Sequence, residues 1–430
     1  MNYKETLEYM FNSLPMYHRI GKAAYKADIC NTVQMMEHLD NPERKFRCIH
    51  VAGTNGKGSV SHLLASILQD AGFKVGLYTS PHLVDFRERI RINGEMIPKK
   101  EVSSWITKHQ EFLEAHDLSF FEMTVGMAFD YFAREDVDIA VLEVGMGGRL
   151  DSTNVVMPEL SIITNISFDH TQFLGDTLDK IAGEKAGIIK KNTPVVIGQT
   201  QVETEPVFKA KAEEMGSPIT FADQHFKIRE VKDRTSPLLR FDVLKDGKVI
   251  QQDLLCPLAG SYQLKNLATL FAALDELQKG DFACSDIDIR TGIRNVIDNT
   301  GLHGRWEIMQ EHPLVICETA HNEDGIRTML EKLKEMRYNR LHLIYGCVND
   351  KDFCHILGLL PKEATRYYTK PNVPRGLDEK ILAKEASKQG FEGKSYPTLK
   401  KALNAAIKEA DPEKDLILIT GSIFLVADAF

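Results

Sequence analysis

RCIHVAGTNGKGSVSHLLASILQDAGFKVGLYTS, residues 47–80, decides the fold of this chain. Ile49, Val51 and Ala52 make a short apolar strand, and the glycines from Gly53 to Gly58 supply a tight loop behind it. Val60, Leu63, Leu64, Ile67 and Leu68 then recur at helical spacing until Gly72 stops the helix, and a second strand starts over Val75 to Tyr78. Strand, glycine loop, helix, strand is the right-handed parallel crossover of an α/β fold. The loop GTNGKGS has the chemistry of a phosphate cradle. Its glycines let backbone N–H groups approach an anion, Lys57 adds a positive charge, Ser59 can reach Mg²⁺, and the helix presents its positive end. Only Thr54 and Asn55 separate Gly53 from Gly56-Lys57, whereas the usual phosphate-binding loop has four residues there.

Working outward, DIAVLEVG (138–145), ELSIITNIS (159–167) and TPVVIGQT (193–200) read as further short buried strands. The alternation in KIREV, LLRFDVL and KVIQQDLL, between about 220 and 256, predicts antiparallel hairpins with Asp246-Gly247 as a turn. A helix is expected from Tyr262 through LKNLATLFAALDELQKG. DNTGLHG (298–304) is turn-rich and poor in apolar residues, which predicts a domain linker. Beyond it LVICETAH, LHLIYGCVND, ATRYYTK and DLILITGSIFLV alternate with helical segments, as in a second, smaller parallel α/β domain. Two unequal domains follow, 1–298 and 299–430, with the active site expected in the cleft between them.

Three polar residues stand where α/β proteins bind ligands, beyond the carboxyl ends of strands. Glu143 closes DIAVLEVG and is followed by Gly145, Gly147 and Gly148; its carboxylate suits Mg²⁺. The GMGGRL stretch lacks the third glycine of a dinucleotide fingerprint, because Leu150 sits there, which removes the best support for an oxidoreductase. His170 follows the third strand in SFDHT, on the same edge as Lys57 and Glu143. Glu184-Lys185 lies in DKIAGEKAGII, a helical stretch with small residues around a lysine that composition alone would leave on the surface.

Composition bounds the rest. The 430 residues carry a net charge of −8, which argues against a protein that coats nucleic acid or an anionic membrane. Seven scattered cysteines, none in a C-x-x-C pair, indicate neither a disulfide framework nor a zinc knuckle and fit a reducing cytoplasm. Lys4, Glu5 and Glu8 stand where a signal peptide needs apolar residues, and no window approaches a membrane span, so a cytoplasmic location is expected.

The blocks HVAGTNGKGS (50–59), TSPHLVDFRERIRING (79–94), FFEMT (120–124), EVGMGGRLDSTN (143–154), FDHTQFLGDT (168–177), IAGEKAGIIK (181–190), HGRWE (303–307), AHN (320–322) and TGSIFLV (420–426) resemble, in order, those of the folylpolyglutamate synthase and dihydrofolate synthase family of the Mur ligase superfamily. Gly58-Ser59 resembles the folate branch, whereas cell-wall Mur ligases have two threonines there. The resemblance implies an ATP-binding central domain with a pterin site over 1–298 and a glutamate-ligase domain over 299–430. It implies ligation of L-glutamate to dihydropteroate and to the tail of reduced folates through an acyl phosphate, with ATP and two Mg²⁺ and with the protein acting as a monomer. Thr54, Asn55, Gly56, Lys57, Gly58, Ser59, Asn266, Arg305 and Glu318 would contact ATP. Ser59, Ser80, Glu143, His170 and a Lys185 carbamylated by CO₂ would serve the metals. Ser119, Phe120, Phe121, Glu122, Leu150, Asp151, Ser152 and His321 would contact the other substrates. Lys57, His170 and Lys185 would carry the catalysis. Two positions depart from the family: His303 replaces a usual proline, and Glu318 a usual aspartate. The other readings are a cell-wall-type ligase and a non-catalytic ATP-binding regulator on the same scaffold.

Overall fold

The computed structural model describes residues 1–14, 28–231, 238–349 and 353–430. Part of the N-terminal stretch, the connection between KIREV and LLRFDVL, and Asp350 of the LHLIYGCVND segment lie outside the described residues. The chain divides into two compact units, Met1–Pro257 with Leu264–Leu302, and Leu258–Gln263 with His303–Phe430.

The first unit is built on a sheet with the order β4-β3-β2-β5-β1-β6-β7-β8. Its strands are β1 (Arg47–Ala52), β2 (Val75–Tyr78), β3 (Ile90–Ile92), β4 (Glu95–Met96), β5 (Ile139–Glu143), β6 (Leu160–Ile163), β7 (Val195–Ile197) and β8 (Ile219–Phe221). From β2 to β8 the neighbours pair in parallel, while β3 and β4 add an antiparallel edge. The central strands are buried along nearly their whole length, as parallel strands covered by helices on both faces must be, and so they read as unbroken apolar runs. The short strands β3, β4 and β8 offered too few residues for a pattern to show. Register places the site: Val51 lies opposite Glu143 and Ala52 opposite Ile163, so β5, β1 and β6 end level with one another.

A separate antiparallel sheet comprises β9 (Phe226–Glu230), β10 (Leu239–Lys245) and β11 (Lys248–Cys256). Asp246 and Gly247, at φ +48° and +79°, turn between the last two, the pair of positive φ values that a tight hairpin demands. The expected helix runs over Gln263–Leu277. The stretch read as a linker is partly helical, because Val296–Thr300 forms one turn closed by Gly301 in the left-handed conformation; that terminal glycine is what looked like loop.

The second unit has one sheet, β12-β13-β17-β14-β15-β16, formed by β12 (Glu307–Gln310), β13 (Leu314–Cys317), β14 (Leu341–Tyr345), β15 (Thr365–Thr369), β16 (Lys394–Tyr396) and β17 (Leu416–Thr420). It is mixed rather than wholly parallel, since β12 returns into β13 as an antiparallel edge. In DLILITGSIFLV the strand stops at Thr420, and Ser422 caps a short helix, Ile423–Ala427, by accepting from the Phe424 N–H at 3.2 Å.

Candidate active site

At or just beyond the level ends of β1, β5 and β6 stand Lys57, Glu143 and the pair Asp169-His170. Beyond β1, Gly56 takes φ +88° and opens the helix Lys57–Asp70; a Cβ there would stand 2.3 Å from Asn266 Oδ1, so only glycine fits. The loop is tied to the exit of β6. The Thr54 N–H donates to the Asn165 carbonyl at 2.8 Å, the Asn55 N–H to Asn165 Oδ1 at 2.7 Å, and Thr164 Oγ1 to the Asn55 carbonyl at 2.6 Å.

Two lysines converge on one backbone oxygen. Lys57 Nζ donates to the carbonyls of Gly53 and Thr54 at 3.0 and 3.1 Å, and Lys185 Nζ donates to the same Gly53 carbonyl at 2.9 Å. Lys185 is buried in the helix Leu178–Ala186, contrary to the surface position its composition favours. Burial, and then the Lys57 charge, pull its pKa down to about 7, against a smaller opposing pull from Asp169 and Asp151. The glycine loop after β5 is strapped to this helix. The Arg149 N–H donates to the Glu184 carbonyl at 2.7 Å, the two side chains form an ion pair at 2.8 Å, and a Cβ on Gly187 would stand 2.4 Å from Arg149 Cα.

Glu143, buried at the end of β5, accepts from the Ser80 N–H at 3.1 Å. Ser59 is buried in the first turns of its helix. His170 takes φ +48° ahead of the short helix Thr171–Leu174, with Nε2 3.7 Å from Asp169 Oδ1. Among the described residues no three His, Cys, Asp or Glu side chains are grouped to hold a metal ion by themselves. The donors that do stand on this edge, a carboxylate and serine hydroxyls, are hard oxygens suited to Mg²⁺. Lys185 suits a metal only once its positive charge is gone.

The residues expected to meet the pterin have additional occupations. Ser119 and Glu122 cap the helix Phe120–Arg134 reciprocally: the Glu122 N–H reaches Ser119 Oγ at 3.2 Å and the Ser119 N–H reaches Glu122 Oε2 at 2.7 Å. Phe120 is buried between Phe11 and Phe86, with ring centroids at 5.5 and 5.8 Å, under the Arg89 guanidinium. Phe121 is less buried and meets Tyr78 edge-on at 6.2 Å. Leu150 is half-buried and Ser152 buried. The Asp151 carboxylate accepts from the Met146 N–H at 2.9 Å and from the Thr153 hydroxyl at 2.6 Å, and burial pushes its pKa up. Because Thr153 donates to Asp151, it must accept from His50 Nε2, 2.8 Å away. Burial, and then the Lys190 charge, pull the His50 pKa down to about 3, which favours the neutral ring with its proton on Nε2. His50 and Thr153 were missed in the sequence; the available signal was a histidine inside an apolar strand.

In the second unit Glu318 continues β13, its N–H reaching the Ile419 carbonyl at 3.0 Å. Its carboxylate is buried and accepts from the Tyr262 hydroxyl at 2.7 Å; burial raises its pKa against the pull of Arg305. Arg305 donates to Thr319 Oγ1. His321 is exposed and donates through Nδ1 to the Thr319 carbonyl at 3.0 Å. His303 Nδ1 meets Glu307 Oε1 at 2.9 Å.

Known families match both parts of the chain. The Mur ligase middle domain covers residues 51–274, and the Mur ligase glutamate ligase domain covers 304–423. The dihydrofolate synthase/folylpolyglutamate synthase of Bacillus subtilis is 34% identical over 95% of this chain and 95% of its own length. The chain belongs to the folylpolyglutamate synthase and dihydrofolate synthase family of Mur ligases. Another family member, the probable bifunctional folylpolyglutamate synthase/dihydropteroate synthase of Haloferax volcanii, is 33% identical over 100% of this chain, which spans only 50% of that protein. Among solved structures, Escherichia coli FolC in complex with DHPP and ADP superposes with a TM-score of 0.84 at 29% identity, covering 99% of this chain and 96% of that one.

Proposed function

We propose that the chain is a bifunctional dihydrofolate synthase and folylpolyglutamate synthase. Family membership makes it an ATP-dependent amino-acid ligase. The proposed reaction joins L-glutamate to dihydropteroate and to the glutamate tail of reduced folates, giving ADP and phosphate. The supporting observation is the convergence of Lys57 and Lys185 on the Gly53 carbonyl, at the level where β5 presents Glu143.

A carboxylate oxygen of the pterin substrate attacks the γ-phosphorus, ADP leaves, and an acyl phosphate forms. The neutral amine of glutamate then attacks the acyl carbon, phosphate departs from the tetrahedral intermediate, and the amine proton is lost. Catalysis here is placement and charge neutralisation. Lys57 and the N–H groups from Gly56 to Ser59 are proposed to receive the phosphates, Thr54 and Asn55, whose N–H groups are held by Asn165, to shape the loop around the nucleotide, and Asn266, Arg305 and Glu318 to be further nucleotide contacts. Two Mg²⁺, when bound, would neutralise phosphate charge; Ser80, Glu143 and Ser59 would hold one, and His170 and Lys185 would serve the other. A pKa of about 7 makes the neutral amine of Lys185 accessible by loss of one proton, and that amine would add CO₂ and lose a second proton to give a carbamate anion. Phe120, Phe121, Leu150 and Ser152 are proposed to line the pterin site. The box of Ser119 and Glu122 sets where that wall begins, Asp151 fixes the loop beside it, and His321 is proposed as a contact to substrate.

Residues 1–298 would thus bind nucleotide and pterin, with 299–430 as the glutamate-ligase part. A cytoplasmic monomer is proposed from the family resemblance; no helix among the described residues is long and apolar enough to cross a membrane. Incubation with ATP, Mg²⁺, glutamate and either dihydropteroate or tetrahydrofolate should yield one added glutamate in the first case and a ladder in the second, read by mass. Absence of ADP release dependent on both acceptor and glutamate overturns the proposal; products from only one acceptor remove half of it.

A further inference from the structure

We propose that Tyr262 is a positioning residue for the nucleotide contact at Glu318, its hydroxyl fixing a carboxylate that the longer side chain would otherwise leave free to swing. The inference rests on the nucleotide role assigned to Glu318 above. Glutamate has one more rotatable bond than aspartate, so a site that uses it needs an added restraint to hold the same oxygen still. The structure supplies that restraint. The half-buried Tyr262 donates its hydroxyl to Glu318 Oε2 at 2.7 Å, and the N–H groups of Trp306 and Thr319 act on the same carboxylate. A hydroxyl donating to a carboxylate makes one of the stronger hydrogen bonds in a protein.

The tyrosine is itself aimed by its own turn. Gln263 N–H closes on the Gly260 carbonyl at 2.9 Å, and the ring folds back so closely that a Cβ on Gly260 would stand 2.4 Å from Tyr262 Cε1. Gly260 is therefore the space into which the ring folds, and any side chain there displaces the hydroxyl from Glu318. Arg305 acts on Glu318 through its charge but gives its hydrogen bond to Thr319 Oγ1, so the hydrogen bonds that fix the acid come from tyrosine and backbone.

The test is a double-mutant cycle read as the Kd for ADP by titration calorimetry, with Tm measured alongside. Tyr262→Phe removes one hydroxyl and should weaken ADP about tenfold at nearly unchanged Tm. Glu318→Ala should weaken it at least as much, and Tyr262→Phe should add nothing in the Glu318→Ala background. Gly260→Ala, which leaves the hydroxyl present but displaced, should weaken ADP in the same direction. If Tyr262→Phe leaves ADP binding within twofold while Glu318→Ala weakens it, the positioning role is overturned and the nucleotide reading of Glu318 stands. Additive losses also overturn it, since they show Tyr262 acting without Glu318. If Glu318→Ala leaves ADP binding unchanged, the nucleotide reading falls and the positioning role with it. Because the readout is binding, a wild-type protein that ligates no pterin acid yet gives the expected cycle would overturn the ligase reading alone.

Discussion

The loops that follow β1 and β13 both end a buried strand at a sheet's carboxyl edge, but they hold their charges in opposite ways. After β1 the cations come from the loop and a buried helix and are bonded to backbone, both of them on the Gly53 carbonyl. After β13 the acid is held by a side chain fifty-six positions away, and the arginine by a threonine hydroxyl. The difference teaches where each loop tolerates change. A loop whose charges lean on main chain is defined by its glycines; one whose charges lean on side chains can exchange aspartate for glutamate if a distant residue adjusts.

Lys57→Ala should break the first loop most severely, lowering kcat/KM for ADP release about 10³-fold with the fold retained; a loss below about tenfold would remove Lys57 from the phosphate site. Lys185→Ala should follow with a loss of about 100-fold, partly restored by short carboxylates, and the unsubstituted protein should show a ¹³C carbamate resonance with labelled bicarbonate that the variant lacks. The same lysine has a stability signature. Its folded-state pKa of about 7 lies below the usual 10.5, so between those values the unfolded chain carries the extra proton and stability rises with pH. Lys185→Met should lower the slope of unfolding free energy against pH in that window, measured in urea; an unchanged slope would contradict the burial.

Gly56→Ala sharpens the claim that glycines define the first loop. A left-handed φ and a Cβ driven onto Asn266 should cost about 2 kcal/mol of stability, seen as a lower urea midpoint. The smallest effect belongs to the second loop. Thr319→Val removes the Arg305 hydrogen bond and should raise KM for ATP about fivefold without moving Tm by more than a degree or two.

The parallel sheet of the first unit was legible because residues buried on both faces leave continuous apolar runs and because Gly56-Lys57-Gly58 has few uses besides meeting an anion. Strands β3, β4 and β12 were not, since two to four residues at an edge carry no periodicity. The site was legible as far as local spacing reaches. That Lys185 points inward, that Ser119 and Glu122 cap a helix, and that His50 reaches Asp151 through Thr153 are all products of packing between segments far apart in the chain.

The Gly53 carbonyl has a final consequence. Its carbon is bonded to the Thr54 nitrogen, so carbonyl and N–H belong to one peptide unit, and that N–H donates to Asn165. Two ammonium groups drawing electron density toward one end of an amide polarise the whole unit and strengthen the donor at its other end. An anion that draws Lys57 off the carbonyl should therefore leave the Thr54 N–H a weaker donor to Asn165.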